Sequence, residues 1–280
     1  MLDRLLMEAV VEAALREDAG YCDLTSEIVI PPNATARFMV NTRNDIVVCG
    51  IDAMELAFRR RCPALRYEAL AADGDRLARG SRIAIVEGRA RDLLTAERTA
   101  LNFIQHLSGV ATLTATYVER IKGTKAALVD TRKTTPGLRA LEKHAASVGG
   151  ARNHRLGLDD GIMIKDNHIS VCGSIAAAMR VARAKVPLLT KIEVECDRLE
   201  QVEEALAAGA DVIMLDNMSL DDMRRAVALV AGKVPLEASG GVTLETIRAI
   251  AETGVDFISV SRITQSAPAV DIGLDAEIRG

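Results

Sequence analysis

The sequence predicts an α/β protein, a parallel β/α barrel with a smaller α+β domain before it. Short β-like runs occupy 127–130, 161–165, 191–196, 211–216, 234–239 and 256–261, and the last four start about 22 residues apart. Helical patterns fill the intervals between these four, the rhythm of consecutive right-handed β/α units. Each run also ends in polar or charged groups, which a barrel collects at one mouth.

Taken in order, a first helix is expected over 2–17, with Leu5, Leu6, Ala9, Val10 and Ala13 on its apolar side. Segments 36–41, 46–49 and 81–87 follow, separated by Pro31-Pro32, Asp73-Gly74 and Arg79-Gly80, the punctuation of a small α+β domain. A helix over 95–107 links this domain to the barrel. The expected division is 1–107 for the first domain and 108–266 for the barrel, with a tail, 267–280, packing back on the first domain. Pro136 opens a helix after the first barrel strand. Asp197-x-x-Glu200 reads as a capping box for a helix carrying Leu199, Val202 and Leu206 on one face, with Gly209 as its stop. Further helices start at Ser219-x-x-Asp222 and at Thr243, the latter ending near Thr253-Gly254. Within 191–196, alternation puts Lys191, Glu193 and Glu195 towards the barrel interior and Ile192 and Val194 towards the helices.

At 280 residues and 49% hydrophobic, the chain can bury a large core. Its five cysteines are odd in number and widely spaced, with no Cys-x-x-Cys pair and no Cys/His ligand set, so scattered reduced thiols are expected. Charges interrupt residues 1–8 too early for a signal peptide, and no apolar run approaches the ~18 residues of a membrane span. These features imply a cytoplasmic protein. The net charge is −4, yet between Thr131 and Gly157 six Lys or Arg face one acid, Glu142. A small polyanionic substrate explains that cluster best. Nucleic acid explains it poorly, because the surplus is local and only 2% of residues are aromatic.

Several residues can carry chemistry. Arg132 and Lys133 follow a strand directly, where two cations grip carboxylate or phosphate. Arg152, His154 and Arg155 stand beyond Gly149-Gly150 and read as part of an anion site. Lys165 ends an apolar strand and either forms a Schiff base or pairs with an anion; Asn167 and His168 orient it or cap the next helix. Ser239-Gly240-Gly241 lies between a strand and a helix, an arrangement that suits phosphate. Glu195 and Asp216 supply the opposite charge, for a Mg²⁺–pyrophosphate, ribose hydroxyls or a developing cation.

Thr131-Arg-Lys-Thr-Thr-Pro-Gly-Leu-Arg139, Glu142-Lys143, Gly149-Gly150, Arg152-Asn-His-Arg-Leu-Gly157 and Ile164-Lys-Asp-Asn-His168 closely resemble the quinolinate phosphoribosyltransferase family. So do Glu193-Val-Glu195, Leu215-Asp-Asn217, Glu237-Ala-Ser-Gly-Gly241, Asp23-Leu-Thr25 and Glu97-Arg-Thr-Ala-Leu-Asn102. The resemblance implies an incomplete, TIM-like β/α barrel with a smaller N-terminal α+β domain, assembled as a homodimer. It implies that quinolinate and phosphoribosyl pyrophosphate give nicotinate mononucleotide, CO₂ and pyrophosphate with Mg²⁺, in de novo NAD biosynthesis. By resemblance Arg132, His154, Arg155 and Lys165 hold quinolinate, and Arg98 reaches it from the partner subunit. Lys133, Glu195 and Asp216 serve the phosphoribosyl donor, the two acids touching Mg²⁺ directly or through its pyrophosphate, and Thr131 also lies against substrate. Lys133, Lys165, Glu195 and Asp216 form the implied catalytic set. The 5′-phosphate rests on Ser239, Gly240 and Gly241 and on the loop of Val260, Ser261 and Arg262.

That loop departs from the family's Ser-Val-Gly-Ala-Leu-Thr, reading Ser259-Val-Ser-Arg-Ile-Thr264. Ser261 stands where a glycine would approach phosphate, and Arg262 offers a compensating ionic contact. Three other readings compete: a molybdenum-transport-associated homologue, a Schiff-base aldolase using Lys165 or Lys191, and a non-catalytic anion binder. The intact Arg152-Asn-His-Arg155 and Lys165-Asp-Asn-His168 weigh against the first, and opposed acids and cations at one mouth weigh against the third. If the loop serves the donor alone, Ser261→Gly leaves quinolinate affinity unchanged in an equilibrium titration; a large change refutes that assignment.

Overall fold

The structure, a computed structural model, describes residues 3–276. Leu2 of the expected first helix and residues 277–280 of the expected tail lie outside the described residues. The chain forms two compact units, one of Met1–Ala115, Thr134–Gly150 and Ile263–Gly280, the other of Thr116–Lys133 and Ala151–Arg262.

Helix α1 (Arg4–Ala19) is capped by Asp3, which accepts from the Leu5 amide, and buries Met7, Val11 and Leu15. That i, i+4 stripe packs against α3, so Leu5 and Leu6, expected on the apolar side, instead face outward, 74% and 54% exposed. Then come α2 (Leu24–Val29), capped by Asp23, β1 (Thr35–Thr42), β2 (Ile46–Val47), α3 (Ile51–Arg61), β3 (Arg66–Ala69), β4 (Arg76–Leu77) and β5 (Arg82–Arg89). Helix α4 (Ala90–Arg120) is 31 residues long, far beyond the expected 95–107. Gly109 lies within it, where the Pro268 backbone occupies the place of a side chain.

After β6 (Ala127–Val129), Pro136 sits in a turn closed by the Leu138 amide on the Thr135 carbonyl (3.0 Å), and α5 (Arg139–Val148) begins only beyond it. Next come β7 (Ile162–Ile164), α6 (Asp166–Cys172), α7 (Ile175–Lys185), β8 (Ile192–Cys196) and α8 (Leu199–Ala207). The expected Asp197 capping box does not form. Arg198 takes the cap position without a side-chain bond, while the Asp197 amide donates to Gln201 Oε1 (2.8 Å). Gly209 ends this helix with φ 77°. After β9 (Val212–Asp216), Ser219 caps α9 (Leu220–Val230) as expected, accepting from the Asp222 amide. The helix expected at Thr243 starts later. Its first residues are held in a turn by the Thr243 amide on Thr246 Oγ1 (2.9 Å), so β10 (Leu236–Ser239) is followed by a five-residue α10 (Ile247–Ala251). The chain ends its described part with β11 (Phe257–Ser259), α11 (Arg262–Gln265) and β12 (Ile272–Ala276).

In the first unit, β12, β1, β5 and β3 form an antiparallel sheet in that order. In the second, β6-β11-β10-β9-β8-β7 is a six-stranded parallel sheet with β6 and β7 as its two edges, a barrel left incomplete. Arg152 adds an isolated parallel bridge to Val129 at the β6 edge. Register aligns Met163 with Glu193, Glu195 with Met214, Asp216 with Ser239 and Ser259 with Val129. Ile192 and Val194 are fully buried on the helix side of β8, which leaves Glu193 and Glu195 facing the interior.

Gly109 separates two effects of opposite sign. Helix propensity alone makes Gly109→Ala stabilising by about 1 kcal/mol. A Cβ there would overlap the Pro268 carbonyl oxygen, and overpacking costs about 1–3 kcal/mol. We expect a net loss of stability, read as a lower Tm; a raised Tm would contradict the packing seen here.

Candidate active site

The site is built around one buried acid. Asp130, directly after β6, is fully buried; its Oδ1 accepts the His154 amide (2.8 Å) and its Oδ2 accepts Asn153 Nδ2 (2.7 Å). This hangs the 152–155 segment on the end of β6. The Arg152 guanidinium lies 5.8 Å from the Phe257 ring centroid, a cation–π arrangement that holds the segment's other end.

The Asp130 anchor aims His154 inward. Its Nε2 is 3.0 Å from Glu193 Oε2 and 3.4 Å from Glu237 Oε2, and the two glutamate side chains are only 8% and 3% exposed. Burial alone disfavours the charged imidazole, but the pair of carboxylates outweighs it and raises its pKa to about 10. The Arg155 amide lies 2.7 Å from Nδ1, which suits the neutral tautomer. We assign the imidazolium, because its Nε2–H faces two buried carboxylates, whose attraction outweighs the lost contact with the Arg155 amide. Burial raises the Glu193 pKa, against the pull of His154. Among the described residues, Glu193 Oε1 and Glu237 Oε1 have no hydrogen-bond partner. The trio therefore carries more acceptor capacity than protein donors fill.

Around this layer the charges alternate. Arg155 donates through Nη1 to the Gly161 carbonyl (2.9 Å), and its pKa is lowered by burial and then by the repulsion of Arg132. Two guanidiniums close enough to repel one another favour an anion between them. Lys165 pairs with Glu195 across β7 and β8. His168 Nδ1 accepts the Lys165 amide (3.0 Å), so of its two expected roles it takes the capping one. Asp216 Oδ2 accepts Asn217 Nδ2 (2.7 Å). Thr131 Oγ1 accepts the Lys133 amide (3.0 Å), which folds the strand end back beneath an exposed Lys133.

The Ser239-Gly240-Gly241 turn has positive φ at both glycines, 91° and 61°. A Cβ at Gly240 would overlap the Asn217 amide oxygen, so close packing as well as φ requires glycine there. The turn was expected to open a helix; instead α10 begins six residues on, and any phosphate would meet turn amides rather than a helix terminus. Val260 is buried with its amide on the Val129 carbonyl (3.1 Å), Ser261 is half-buried and Arg262 exposed. Arg98 is exposed on α4, in the first unit.

Two expectations change. Lys143, counted in the cation cluster, is 2% exposed, and Arg139 Nε donates to Thr134 within the first unit, so Arg132, Lys133, Arg152 and Arg155 remain in the barrel. Glu193 was read as facing the barrel interior and Glu237 as part of a family motif, but neither as a partner of His154. Their signal was a Glu between Ile192 and Val194 on a buried strand.

A cavity of about 520 Å³ lies against His154, Arg155, Glu193 and Glu237 and extends past Arg152, Lys191 and Phe257 towards the strand starts. Lys165, Glu195, Asp216 and Ser239 end their strands on the other side of this layer. A β/α barrel performs its chemistry at the strand ends, so the His154 layer is the floor of the mouth.

Strand ends that gather fixed cations and acids around one mouth define a β/α-barrel enzyme for small anionic substrates. Residues 23–108 match the N-terminal domain of quinolinate phosphoribosyl transferase and residues 110–275 its C-terminal domain. The chain belongs to this family. The nicotinate-nucleotide pyrophosphorylase (carboxylating) of Mycobacterium leprae is 43% identical, covering 95% of this chain and 95% of that protein. A probable enzyme of the same name from Synechocystis sp. is 42% identical, covering 96% of this chain and 92% of that protein. The structure of the nicotinate-nucleotide pyrophosphorylase from Francisella tularensis superposes with a TM-score of 0.95 at 39% identity, covering 99% and 98% of the two chains.

Because its pKa is raised on folding, His154 adds stability fully below the ordinary 6.5 and loses it as pH rises through about 10. We expect nitrogen-15 NMR to find the imidazole still cationic at pH 8, and Glu237→Gln to bring its midpoint down. A wild-type midpoint near 6.5 would contradict the clamp.

Proposed function

We propose that this chain transfers the phosphoribosyl group of phosphoribosyl pyrophosphate to quinolinate with decarboxylation, giving nicotinate mononucleotide, CO₂ and pyrophosphate, as a step of de novo NAD biosynthesis. The observation that carries this reading is that one barrel holds Arg132 and Arg155, which repel one another, together with the Lys165–Glu195 pair. Quinolinate has two adjacent carboxylates, and only a pocket of several fixed cations offsets their desolvation. The names of the full-length relatives support the same reaction.

In this reading Arg132, Arg155 and Lys165 take the two carboxylates, with the cationic His154 beneath them. Arg98 of the partner subunit completes the pocket in a homodimer. Lys133 and Thr131 face the donor, and its 5′-phosphate rests on Ser239, Gly240, Gly241 and the loop of Val260, Ser261 and Arg262. The pyridine nitrogen attacks C1 of the ribose as the bond to pyrophosphate breaks. Glu195 and Asp216 stabilise the oxocarbenium-like charge between those events. The new pyridinium withdraws electrons, the bond from C2 to its carboxylate breaks, and CO₂ leaves. The electron pair stays on C2, which takes a proton from water.

Glu195 and Asp216 fit Mg²⁺: both are hard oxygen donors at the ends of the neighbouring strands β8 and β9. Glu195 already engages Lys165, so the two acids would hold the ion through its water shell or its pyrophosphate. When bound, the ion neutralises charge on the departing pyrophosphate. Among the described residues no helix is long and apolar enough to cross a membrane, and a cytoplasmic enzyme without nucleic-acid partners is consistent with the local rather than general surplus of cations.

Incubation with quinolinate, phosphoribosyl pyrophosphate and Mg²⁺ should release CO₂ and form nicotinate mononucleotide, and nicotinate in place of quinolinate should give no product. Turnover with nicotinate, or borohydride trapping of Lys165 on a carbonyl substrate, would overturn the reading. Truncating one partner of a buried charge pair costs about 2–5 kcal/mol, so Arg155→Ala should lower kcat/KM by roughly 30- to 5,000-fold.

A further inference from the structure

Cys49 was expected as a scattered reduced thiol outside any Cys/His ligand set, yet the first unit brings the ligand atoms of Cys49, Asp73 and His144 within 4.8 Å of one another. Cys49 follows β2 and is fully buried, Asp73 sits in the turn before β4, and His144 lies on α5. Asp73 Oδ2 is 3.5 Å from Cys49 Sγ and 3.2 Å from His144 Nε2. A tetrahedral ion with bonds of about 2.3 Å to sulfur and about 2.0–2.1 Å to oxygen and nitrogen sets those two edges at about 3.5 Å and about 3.3 Å.

The groups behind the ligands are fixed. Asp73 Oδ1 accepts the amides of Gly50 (3.0 Å) and Ile51 (3.1 Å), so only Oδ2 faces the other two ligands. The Asp73 turn is tied to β2 through the Gly74 amide on the Val48 carbonyl (2.9 Å) and the Val48 amide on the Asp75 carbonyl (3.0 Å). Ser108 Oγ accepts the Cys49 amide (3.0 Å) and donates to the Cys49 carbonyl (3.1 Å). Such supports orient ligands before an ion arrives. Charge also matches, since one thiolate, one carboxylate and a neutral imidazole balance a divalent cation. Asp52, in the first turn of α3, adds a further negative charge near the thiol. Solvent reaches the cluster, with the Asp73 and His144 side chains 25% and 30% exposed, which provides an entry path and a fourth position for water.

We propose that Cys49, Asp73 and His144 form a three-ligand site for one divalent transition-metal ion of the zinc class, separate from the barrel and independent of the proposed reaction. The S, O and N donors select zinc or cobalt over magnesium or calcium, which take oxygen ligands.

The test is a titration of chelator-treated protein with Co²⁺, followed by displacement with Zn²⁺. One equivalent should produce a thiolate-to-cobalt charge-transfer band and the intense visible bands of tetrahedral cobalt, and Zn²⁺ should remove both. Cys49→Ser should abolish the charge-transfer band. His144→Ala alters a partly exposed side chain, so it tests the site even if the cysteine variant fails to fold; it should weaken binding at least about tenfold. No charge-transfer band in the wild type would overturn the proposal. So would a band of full strength in Cys49→Ser, which would assign it to the exposed Cys22 or Cys172, or unchanged affinity in His144→Ala.

Discussion

Glu193 and Glu237 are both withdrawn from water, and their carboxylates would repel each other without the imidazole of His154 between them. This contact joins the parts of the barrel that matter. It links β8 to β10 across the intervening β9, and it ties both to the 152–155 segment that Asp130 suspends from β6. Removing the cation from such an arrangement leaves uncompensated buried charge, worth about 3–5 kcal/mol. A charged layer this costly to maintain sits where a simpler apolar core would be more stable. Its return is a fixed layer of paired charge whose orientation needs no adjustment when a substrate enters.

Above the floor, the strand ends hold charges in prearranged opposition. Lys165 already has a carboxylate partner in Glu195, while Arg132 and Arg155 repel one another. An incoming dianion relieves the second relation and can share the first. Acids and cations that face each other on adjacent strands keep the mouth electrically ordered, so little reorganisation accompanies the reaction.

Much of this was legible in the sequence because period-2 alternation is a local property. Glu193 and Glu195 could be placed inside the barrel from Ile192 and Val194 alone. Caps were legible only where no competitor stood nearby. Ser219 caps its helix, but Gln201 takes the Asp197 amide and Thr246 holds the Thr243 turn, so two helices start late. Counting charge along the chain treated Lys143 as surface, whereas α5 buries it. Two groupings were out of reach. The His154 clamp requires the spatial order β8-β9-β10, and the Cys49, Asp73 and His144 cluster requires residues 71 positions apart to meet. Neither leaves a trace in spacing.

The most direct measurement of the cation mouth is a crystal structure with quinolinate bound. Its two carboxylates should lie against Arg132, Arg155 and Lys165, on the strand-end side of His154. Density for the diacid beside Lys191 and Phe257 and out of reach of Arg132 and Lys165, or anywhere away from those three cations, would contradict the account.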